Sequence, residues 1–397
     1  MYKVLTLNNI ALAGLRKMPR ASYEVSTECS APDAILLRSY KMHDMDIADS
    51  IEVIGRAGAG VNNIPVDAMS ERGVPVLNAP GANANAVKEL VIAGMLMAAR
   101  NIPSALDFAA GLEGDDAAVS KQVEAGKKQF VGTELPGKTL GVIGLGAIGV
   151  QVANAASGLG MKVIGFDPKM TVERAWELSS GVFKASGIDQ LCRESDFISV
   201  HVPLMDATRN MVSAERIASL PKHGIVVNLA RGGIVDEDAI VDALDAGSLA
   251  GYVADFPTGR LIRHPKVIAL PHLGASTLEA EENCAVRVVD NVRDFLENGN
   301  IKNSVNFPDV FMPRIDTWRI GISNRNVPNM VGQISTVLAD AKLNIADLLN
   351  KSRDNVAYSL IDLDGEPTQN TIDQLAAIEG VLRVRSLGRP GDENGPR

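Results

Sequence analysis

A glycine-rich loop between an apolar strand and a helix leaves this chain few possible folds. The segment TLGVI runs directly into GLGAIG at residues 144–149, and apolar residues at helical spacing follow. In such a loop Gly144 permits a tight turn, Gly146 lets a diphosphate approach the backbone, and Gly149 lets the helix pack close to the strand. The helix N-terminus adds backbone amides and a positive dipole end. The loop therefore predicts a parallel α/β sheet that binds a dinucleotide.

The next predicted strand indicates which dinucleotide is bound. The segment KVIGFD ends at Asp167, eighteen residues after Gly149. A carboxylate at this strand end hydrogen-bonds the ribose hydroxyls and repels a 2′-phosphate, so the predicted cofactor is NAD rather than NADP. The alternative is that the glycines serve only helix packing and that Asp167 is a solvated strand end.

Short apolar strands alternate with helical segments over the first three hundred residues, which is typical of a doubly wound α/β protein. The pattern predicts strands at 2–7, 34–39, 51–57 and 75–79, and then at 139–146, 162–167, 197–203, 224–230, 252–256 and 266–271. Residues 86–100 and 282–299 have helical periodicity. From residue 317 the order strand, helix, two strands, helix, strand predicts a ferredoxin-like unit.

Composition excludes several classes of protein. A chain of 397 residues suggests two or three domains, and 39 Lys and Arg against 48 Asp and Glu give a net charge of −9, which disfavours general nucleic-acid binding. The longest apolar run, at 90–99, is about half a membrane span, and the N-terminus lacks the pattern of a signal peptide. We expect a cytoplasmic protein without membrane partners. Cys29, Cys192 and Cys284 are isolated, so the sequence predicts neither disulfides nor a metal site.

Two segments place candidate catalytic residues at the carboxyl ends of strands, where open α/β sheets bind their ligands. Arg231, in NLARGGIVD, follows an apolar strand and precedes two glycines, a position suited to binding a carboxylate through a guanidinium fork. His272, in PHLGAST, follows a proline at a strand end, a position suited to a general base. Each residue alone has a structural alternative, an exposed loop arginine or a histidine held in a turn.

The motifs GLGAIG, NLARGGIVDE and PHLGAST, in this order and spacing, resemble those of the D-isomer-specific 2-hydroxyacid dehydrogenases. The segments GRAGAGVNNIPVDA (55–68) and NAPGANANAVKEL (78–90) are similar to the members that act on D-3-phosphoglycerate. The resemblance implies a Rossmann-type NAD-binding domain (89–283) inserted in a flavodoxin-like substrate-binding domain (1–88 and 284–313). It also implies a C-terminal ACT regulatory domain of ferredoxin-like fold (316–390), and the polar residues 391–397 are predicted to be disordered.

The expected function is NAD-dependent oxidation of D-3-phosphoglycerate to 3-phosphohydroxypyruvate, the first step of L-serine biosynthesis. One alternative is another D-2-hydroxyacid dehydrogenase or 2-oxoacid reductase, acting on 2-hydroxyglutarate, glyoxylate or hydroxypyruvate. A second is an NAD-sensing corepressor-like binding protein. The resemblance also implies a homodimer or homotetramer.

The resemblance implies a role for each matching residue. Arg231 would bind the substrate carboxylate and polarise the C2 oxygen, while His272 would take the hydroxyl proton. Asp255 would contact the nicotinamide amide. The residues expected to bind the cofactor are Gly144, Gly146, Ala147, Ile148, Gly149, Asp167, His201, Leu229, Ala230, Asp255, Gly274 and Ala275. His201 has the alternative of a hydrogen-bonded core histidine.

The sequence departs from the family at one catalytic position. The family carries a glutamate that pairs with the histidine a few residues after the aspartate, but here the segment reads DFPTGR at 255–260. Asp255 itself, Glu279 or Glu281 would then orient His272, or His272 would work unpaired.

Substrate and effector residues are expected outside the nucleotide domain. Arg56, Gly58 and Ala59 would form an anion nest for the substrate carboxylate, and Arg38 would bind the phosphate, with Lys41, Lys127 and Lys128 as alternatives. In the ACT-like unit, Asn324, Asn326 and Pro328 resemble the family's amino-acid-binding turn, and Asn344 lies at the start of the next strand. The three asparagines are therefore the expected ligands of an effector, for which L-serine is the candidate. Asn329 replaces the usual glycine there, and asparagine tolerates the positive φ that such a turn requires.

Overall fold

The structure, a computed structural model, describes residues 1–390. Residues 391–397, for which the sequence predicts disorder, lie outside the described residues. The chain divides into two compact units. The first comprises Met1–Ala82 together with the chain from Glu281 onward, and the second comprises Asn83–Ala280.

A parallel sheet forms the amino-terminal part of the first unit. Its elements are β1 (Tyr2–Leu7), α1 (Leu12–Leu15), β2 (Tyr23–Ser26), β3 (Ala34–Leu37), β4 (Val53–Arg56), α2 (Val66–Glu71) and β5 (Val76–Leu77). The strand order is β2-β1-β3-β4-β5. All four residues of β3 are buried, as expected for an inner strand of a sheet covered on both faces.

The second unit contains the glycine-rich loop and a seven-stranded parallel sheet. Its helices are α3 (Ala84–Ala99), α4 (Ile102–Ala110), α5 (Asp116–Gly126), α6 (Ala147–Gly158), α7 (Val172–Glu177), α8 (Ile188–Glu194), α9 (Ala214–Ala218) and α10 (Glu237–Asp245). Its strands are β6 (Thr139–Ile143), β7 (Lys162–Phe166), β8 (Val182–Lys184), β9 (Phe197–Val200), β10 (Ile225–Asn228), β11 (Gly251–Ala254) and β12 (Val267–Ala269). The order β12-β11-β10-β9-β6-β7-β8 reverses direction at β6, the topological switch point at which such sheets bind nucleotides.

The chain returns to the first unit through α11 (Leu278–Asn298) and ends in an antiparallel sheet. The elements of this part are β13 (Trp318–Arg325), α12 (Met330–Asp340), β14 (Ile345–Arg353), β15 (Val356–Leu363), α13 (Gln369–Ala376) and β16 (Val381–Leu387). The sheet order is β14-β15-β13-β16. Ile320, Ile334 and Leu375 belong to the core that this sheet shares with its two helices.

Three arginines join the antiparallel sheet to the rest of the first unit. Arg319 is fully buried, pairs with Asp362 at 2.6 Å, and donates to the carbonyl oxygens of Asn298, Met312 and Pro313. Arg385 pairs with Glu52 at 2.6 Å and lies over the ring of Phe295 at 4.4 Å. Arg383 donates to the carbonyl oxygens of Ile51 and Asp49.

The predicted fold class is confirmed, with two parallel sheets flanked by helices and a separate antiparallel sheet. The division into a substrate-binding, an NAD-binding and an ACT domain stays a prediction. Among residues 1–390, no helix is long and apolar enough to span a membrane. The same residues contain no group of three or more His, Cys, Asp or Glu side chains placed to hold a metal ion.

Candidate active site

The glycine-rich loop has the geometry that a dinucleotide requires. Gly144 has φ +91°, and a Cβ there would lie 2.7 Å from the carbonyl oxygen of His201. A Cβ on Gly149 would lie 1.9 Å from the carbonyl oxygen of Gly144, so this position requires glycine for α6 to pack. A Cβ on Gly146 would meet no atom within 4 Å. Gly146 therefore faces open space at the start of α6, where a diphosphate fits.

Asp167 lies beside this loop and helps to hold it. Its Oδ2 accepts the backbone amide of Leu145 at 2.8 Å, and its Oδ1 accepts that of Lys169 at 2.8 Å. The side chain is half-buried, so the carboxylate keeps a solvent-facing side for ribose hydroxyls. In the described chain the amides of Ala147 and Ile148, in the first turn of α6, have no acceptor, as is usual at a helix N-terminus. These residues fit NAD.

His201 lies half-buried beside the glycine loop, and its expected contact with the cofactor stays a prediction. Its Nε2 lies 2.8 Å from Oγ of Ser199, and its backbone amide donates to the carbonyl oxygen of Ile143. Burial lowers the pKa of His201 to about 4, because the imidazolium loses its hydration. The ring is therefore neutral near neutral pH and adds no charge beside the cofactor loop.

Hydrogen bonds between the carboxyl ends of β10, β11 and β12 build the catalytic end of the sheet. The amide of Asp255 donates to the carbonyl oxygen of Asn228, and the amide of His272 donates to the carbonyl oxygen of Asp255. The buried Asp255 carboxylate accepts the amides of Leu273 at 2.7 Å and Gly274 at 2.8 Å. Asp255 therefore fixes the loop that carries His272, a role that the sequence did not reveal. Its expected contact with nicotinamide stays a prediction.

Three side chains meet at these strand ends. The Phe256 ring lies 4.5 Å from the His272 ring, centroid to centroid, with an interplanar angle of 49°. The Arg231 guanidinium lies over the same Phe256 ring at 5.5 Å. Arg231 and His272 are both exposed, and His272 has the left-handed φ of +57°. The structure thus brings together the two predicted catalytic residues, and Phe256 is the neighbour that sequence analysis missed.

No carboxylate pairs with the His272 ring among the described residues. The oxygens of Asp255 accept backbone amides, and Glu281 forms an ion pair with Arg38 at 2.5 Å in the first unit. Glu279 is exposed and forms no ion pair within residues 1–390. Of the four alternatives given for the missing glutamate, the described residues agree with a His272 ring that has no acid partner.

The remaining predicted cofactor residues lie in the second unit. Leu229 is buried, and the amide of Ala230 donates to Oδ1 of Asn228. A Cβ on Gly274 would lie 3.1 Å from Oδ2 of Asp255, so this position holds only a small residue. Ala275, which follows it, is half-buried.

The predicted anion nest lies in the first unit and differs from the expectation. Arg56 donates through Nε to the carbonyl oxygen of Arg38, and its guanidinium lies over Gly58, where a Cβ would come 1.9 Å from Nη1. The amides of Ala57 and Gly58 donate to the carbonyl oxygens of Leu37 and Arg56. The turn itself uses these two amides, so the expectation that Gly58 contributes a free amide to the anion nest is wrong. In the described chain the amide of Ala59 has no acceptor.

Asparagines line a cavity of about 170 Å³ at the end of β13. Asn324 and Asn326 contribute to its wall, as do Asn329 and Asn350. Asn329 has φ +63°, which confirms that asparagine supports this turn in place of glycine. Asn344 is not among the lining residues, because its backbone pairs with Asp364 at the other end of β14.

Comparisons with known proteins identify the family. The family model "D-isomer specific 2-hydroxyacid dehydrogenase, NAD binding domain" matches residues 92–274. D-3-phosphoglycerate dehydrogenase of Methanocaldococcus jannaschii is 38% identical over 326 residues, which cover 80% of this chain and 59% of that protein. The protein of the same name from Haemophilus influenzae is 32% identical over 356 residues, covering 86% of this chain and 83% of that protein.

A solved structure agrees with these sequence relatives. Cofactor-bound (NAD⁺) 3-phosphoglycerate dehydrogenase of Entamoeba histolytica has a TM-score of 0.60 at 27% identity, covering 77% of this chain and 98% of that chain. The present chain spans only 59% of the Methanocaldococcus protein and 56% of its Synechocystis counterpart, less than two thirds of either.

The chain belongs to the D-isomer specific 2-hydroxyacid dehydrogenases, and its residues 92–274 match the NAD-binding domain of that family. Within that family, the relatives named above are D-3-phosphoglycerate dehydrogenases.

Proposed function

We propose that the protein oxidises D-3-phosphoglycerate to 3-phosphohydroxypyruvate with NAD, the reaction that opens L-serine biosynthesis. The observation that carries this proposal is the meeting of Arg231 and His272 against Phe256, at neighbouring strand ends of an NAD-binding domain. The name shared by the relatives supplies the substrate.

The chain's own residues perform the proton transfer and the charge stabilisation. A neutral ring nitrogen of His272 takes the proton of the C2 hydroxyl as the C2–O bond becomes a carbonyl. NAD, when bound along Gly146 and Asp167, supplies the acceptor for the hydride that leaves C2. The guanidinium of Arg231 binds the carboxylate and stabilises the C2 oxygen, and its fixed charge needs no reorganisation during the reaction.

The test is NADH formation with D-3-phosphoglycerate, D-2-hydroxyglutarate and D-glycerate as separate substrates. We expect turnover with the phosphorylated substrate, and a loss of about a hundredfold or more in kcat for His272→Ala. Turnover confined to D-2-hydroxyglutarate or D-glycerate would instead favour another 2-hydroxyacid dehydrogenase. NAD binding without turnover of any substrate would favour the corepressor-like role.

The substrate's anionic groups need fixed cations, for which Arg38 and Arg56 are the proposed ligands. Within the described residues the Ala59 amide is available to the substrate. Gly58 contributes only by leaving room for the Arg56 guanidinium, because the turn already uses its amide. Because Arg38 is paired with Glu281, binding a phosphate requires it to exchange partners. Arg38→Ala should therefore raise KM for D-3-phosphoglycerate more than KM for D-glycerate, whereas equal changes would remove Arg38 from the phosphate site.

The asparagine-lined cavity supports a regulatory proposal, binding of L-serine at an ACT domain. The Oδ1 atom of Asn324 is buried and has no hydrogen-bond partner among the described residues, although Nδ2 donates to the carbonyl oxygen of Arg325. A buried acceptor without a donor is costly, and an ammonium group would satisfy it. Asn326 lines the same cavity, whereas Asn344 lies apart from it.

Serine should inhibit turnover and raise the melting temperature in proportion to its concentration. Asn324→Leu should remove both effects while leaving basal turnover unchanged. Serine that changes neither rate nor melting temperature of the unaltered protein would refute the effector proposal. The proposed assembly is a homodimer or homotetramer, and the proposed compartment is the cytoplasm.

A further inference from the structure

Phe256 contacts the ring of His272, which has no acid partner among the described residues. The segment from Asp255 to Arg260 contains no glutamate, and no carboxylate contacts the His272 ring in the described residues. The ring of Phe256 lies against His272 instead, 4.5 Å away. The inference below rests on the proposed function, because it concerns how that site holds its base.

The path of the backbone explains why Phe256 lies beside both His272 and Arg231. Asp255 is the first residue after β11, and its carbonyl oxygen accepts the amide of His272 at 3.1 Å. Phe256 follows Asp255 directly, so its side chain leaves the backbone beside that hydrogen bond. On the other side, the Cβ of Phe256 would lie 3.6 Å from a Cβ on Gly232, which places Phe256 against the loop that carries Arg231.

Few other contacts restrain the two catalytic side chains. The Arg231 guanidinium donates through Nη1 to the carbonyl oxygen of Ala230, its own neighbour in the chain. Within residues 1–390, the His272 ring has no hydrogen bond or ion pair. Since both side chains are exposed, contact with the half-buried Phe256 ring is what limits their rotation.

We propose that Phe256 is a positioning residue that takes the place of the acid partner, holding Arg231 and His272 at a fixed separation for the reaction. An aromatic face attracts both a guanidinium and an imidazolium. The ring therefore orients His272 as a base and stabilises the imidazolium that proton transfer creates. A carboxylate partner would do the same through charge, whereas Phe256 does so through its quadrupole and its fixed position.

The test compares Phe256→Leu with Phe256→Tyr, which keeps the aromatic face. We expect Phe256→Leu to lower kcat about tenfold or more with KM for NAD changed less than about twofold, because the base is misplaced while the cofactor loop is intact. Phe256→Tyr should retain kcat within about threefold. The control is Phe183→Leu, an exposed phenylalanine on β8, which should leave both constants unchanged.

Two results would overturn the proposal. One is an unchanged kcat in Phe256→Leu, and the other is an equal loss in the leucine and tyrosine variants together with equal losses of melting temperature. These outcomes separate this proposal from the function itself. If the unaltered protein oxidises none of the three hydroxy acids, the proposed function fails. If it oxidises one of them and Phe256→Leu keeps the same kcat, the function stands and only the role of Phe256 is refuted.

Discussion

Asp255 shows how one buried carboxylate controls an exposed catalytic residue. Its two oxygens accept the amides of Leu273 and Gly274, and this pair of bonds holds the backbone at the left-handed φ of His272. In Asp255→Asn, one of these acceptors becomes an NH₂ group facing a backbone amide. We expect the free energy of unfolding to fall by about 2 kcal/mol, and kcat to fall with it.

Urea unfolding and steady-state kinetics measure these two losses. The matched control is Asp340→Asn, an exposed aspartate on α12 whose side chain forms no hydrogen bond within the described chain. If the free energy of unfolding falls as much in the control as in Asp255→Asn, the two hydrogen bonds to the Asp255 carboxylate contribute nothing to stability. The aspartate itself is visible in the sequence at a strand end, but its amide partners lie eighteen and nineteen positions away, which a local pattern does not specify.

His201 makes stability depend on pH in the acidic range. Burial lowers its pKa to about 4 from the ordinary 6.5, so between these values the unfolded chain binds a proton that the folded protein excludes. The contribution of His201 is therefore complete above pH 6.5 and is lost as the pH falls to 4, up to about 3 kcal/mol. Unfolding free energies measured across this range should decline less steeply in His201→Gln, and identical slopes would contradict the assignment.

Within the element formed by the glycine loop and α6, two glycines have different roles. Gly149 is needed for folding, and Gly146 is needed for cofactor binding. A methyl group on Gly149 would overlap the carbonyl oxygen of Gly144, while one on Gly146 would meet no protein atom. Gly149→Ala should lower the unfolding free energy by about 1–3 kcal/mol. Gly146→Ala should leave stability unchanged, because its φ of −73° suits alanine, yet weaken NAD binding about tenfold or more by filling the diphosphate space.

Thermal melting and NAD titration calorimetry on the two variants provide the measurement, and each variant is the control for the other. Equal losses of melting temperature would mean that Gly146 is a packing glycine. Full NAD affinity in Gly146→Ala would place the diphosphate elsewhere.

The elements predicted from sequence are those with long or strongly periodic segments. All ten strands predicted before residue 280 are present, and α11 and the strand and helix order after residue 317 match the prediction. Two strands were missed, β2 (Tyr23–Ser26) and β8 (Val182–Lys184). β8 has only three residues, none of them buried, and lies at the sheet edge, so its apolar pattern is too short to recognise. β8 is a strand because it pairs with β7, a contact that the local sequence pattern does not show.

In the molecule as a whole, the feature that is hardest to predict from the sequence is how the antiparallel sheet attaches to the rest of the first unit. Along β13, Arg319 lies next to the apolar Ile320, and neighbouring residues of a strand point to opposite faces of the sheet. This pattern predicts that Arg319 faces solvent. It is instead fully buried, because the sheet's second face packs on the rest of the first unit. Ser323 and Tyr358 continue this contact by donating to the carbonyl oxygens of Gly73 and Gly299. Contacts between residues this distant in sequence leave no periodic signal.

Two ion pairs allow a test of whether burial or distance determines how much an ion pair contributes to the free energy of unfolding. They are the buried Arg319–Asp362 pair and the exposed Arg174–Glu177 pair. Both have an N···O distance of 2.6 Å, but the side chains of the first are at most 1% exposed and those of the second are 37% and 54% exposed. Arg319→Leu leaves the Asp362 carboxylate buried without a counter-ion, so urea unfolding should show a loss of about 3–5 kcal/mol.

Arg174→Leu should cost less than about 0.5 kcal/mol, because water already solvates both of its charges. The double variant Arg319→Leu with Asp362→Leu should recover part of the loss, since no isolated charge remains buried. Recovery should be incomplete, because the carbonyl oxygens of Asn298, Met312 and Pro313 also lose their donor. Equal costs for the two single arginine variants would show instead that the antiparallel sheet is held by its apolar contacts alone.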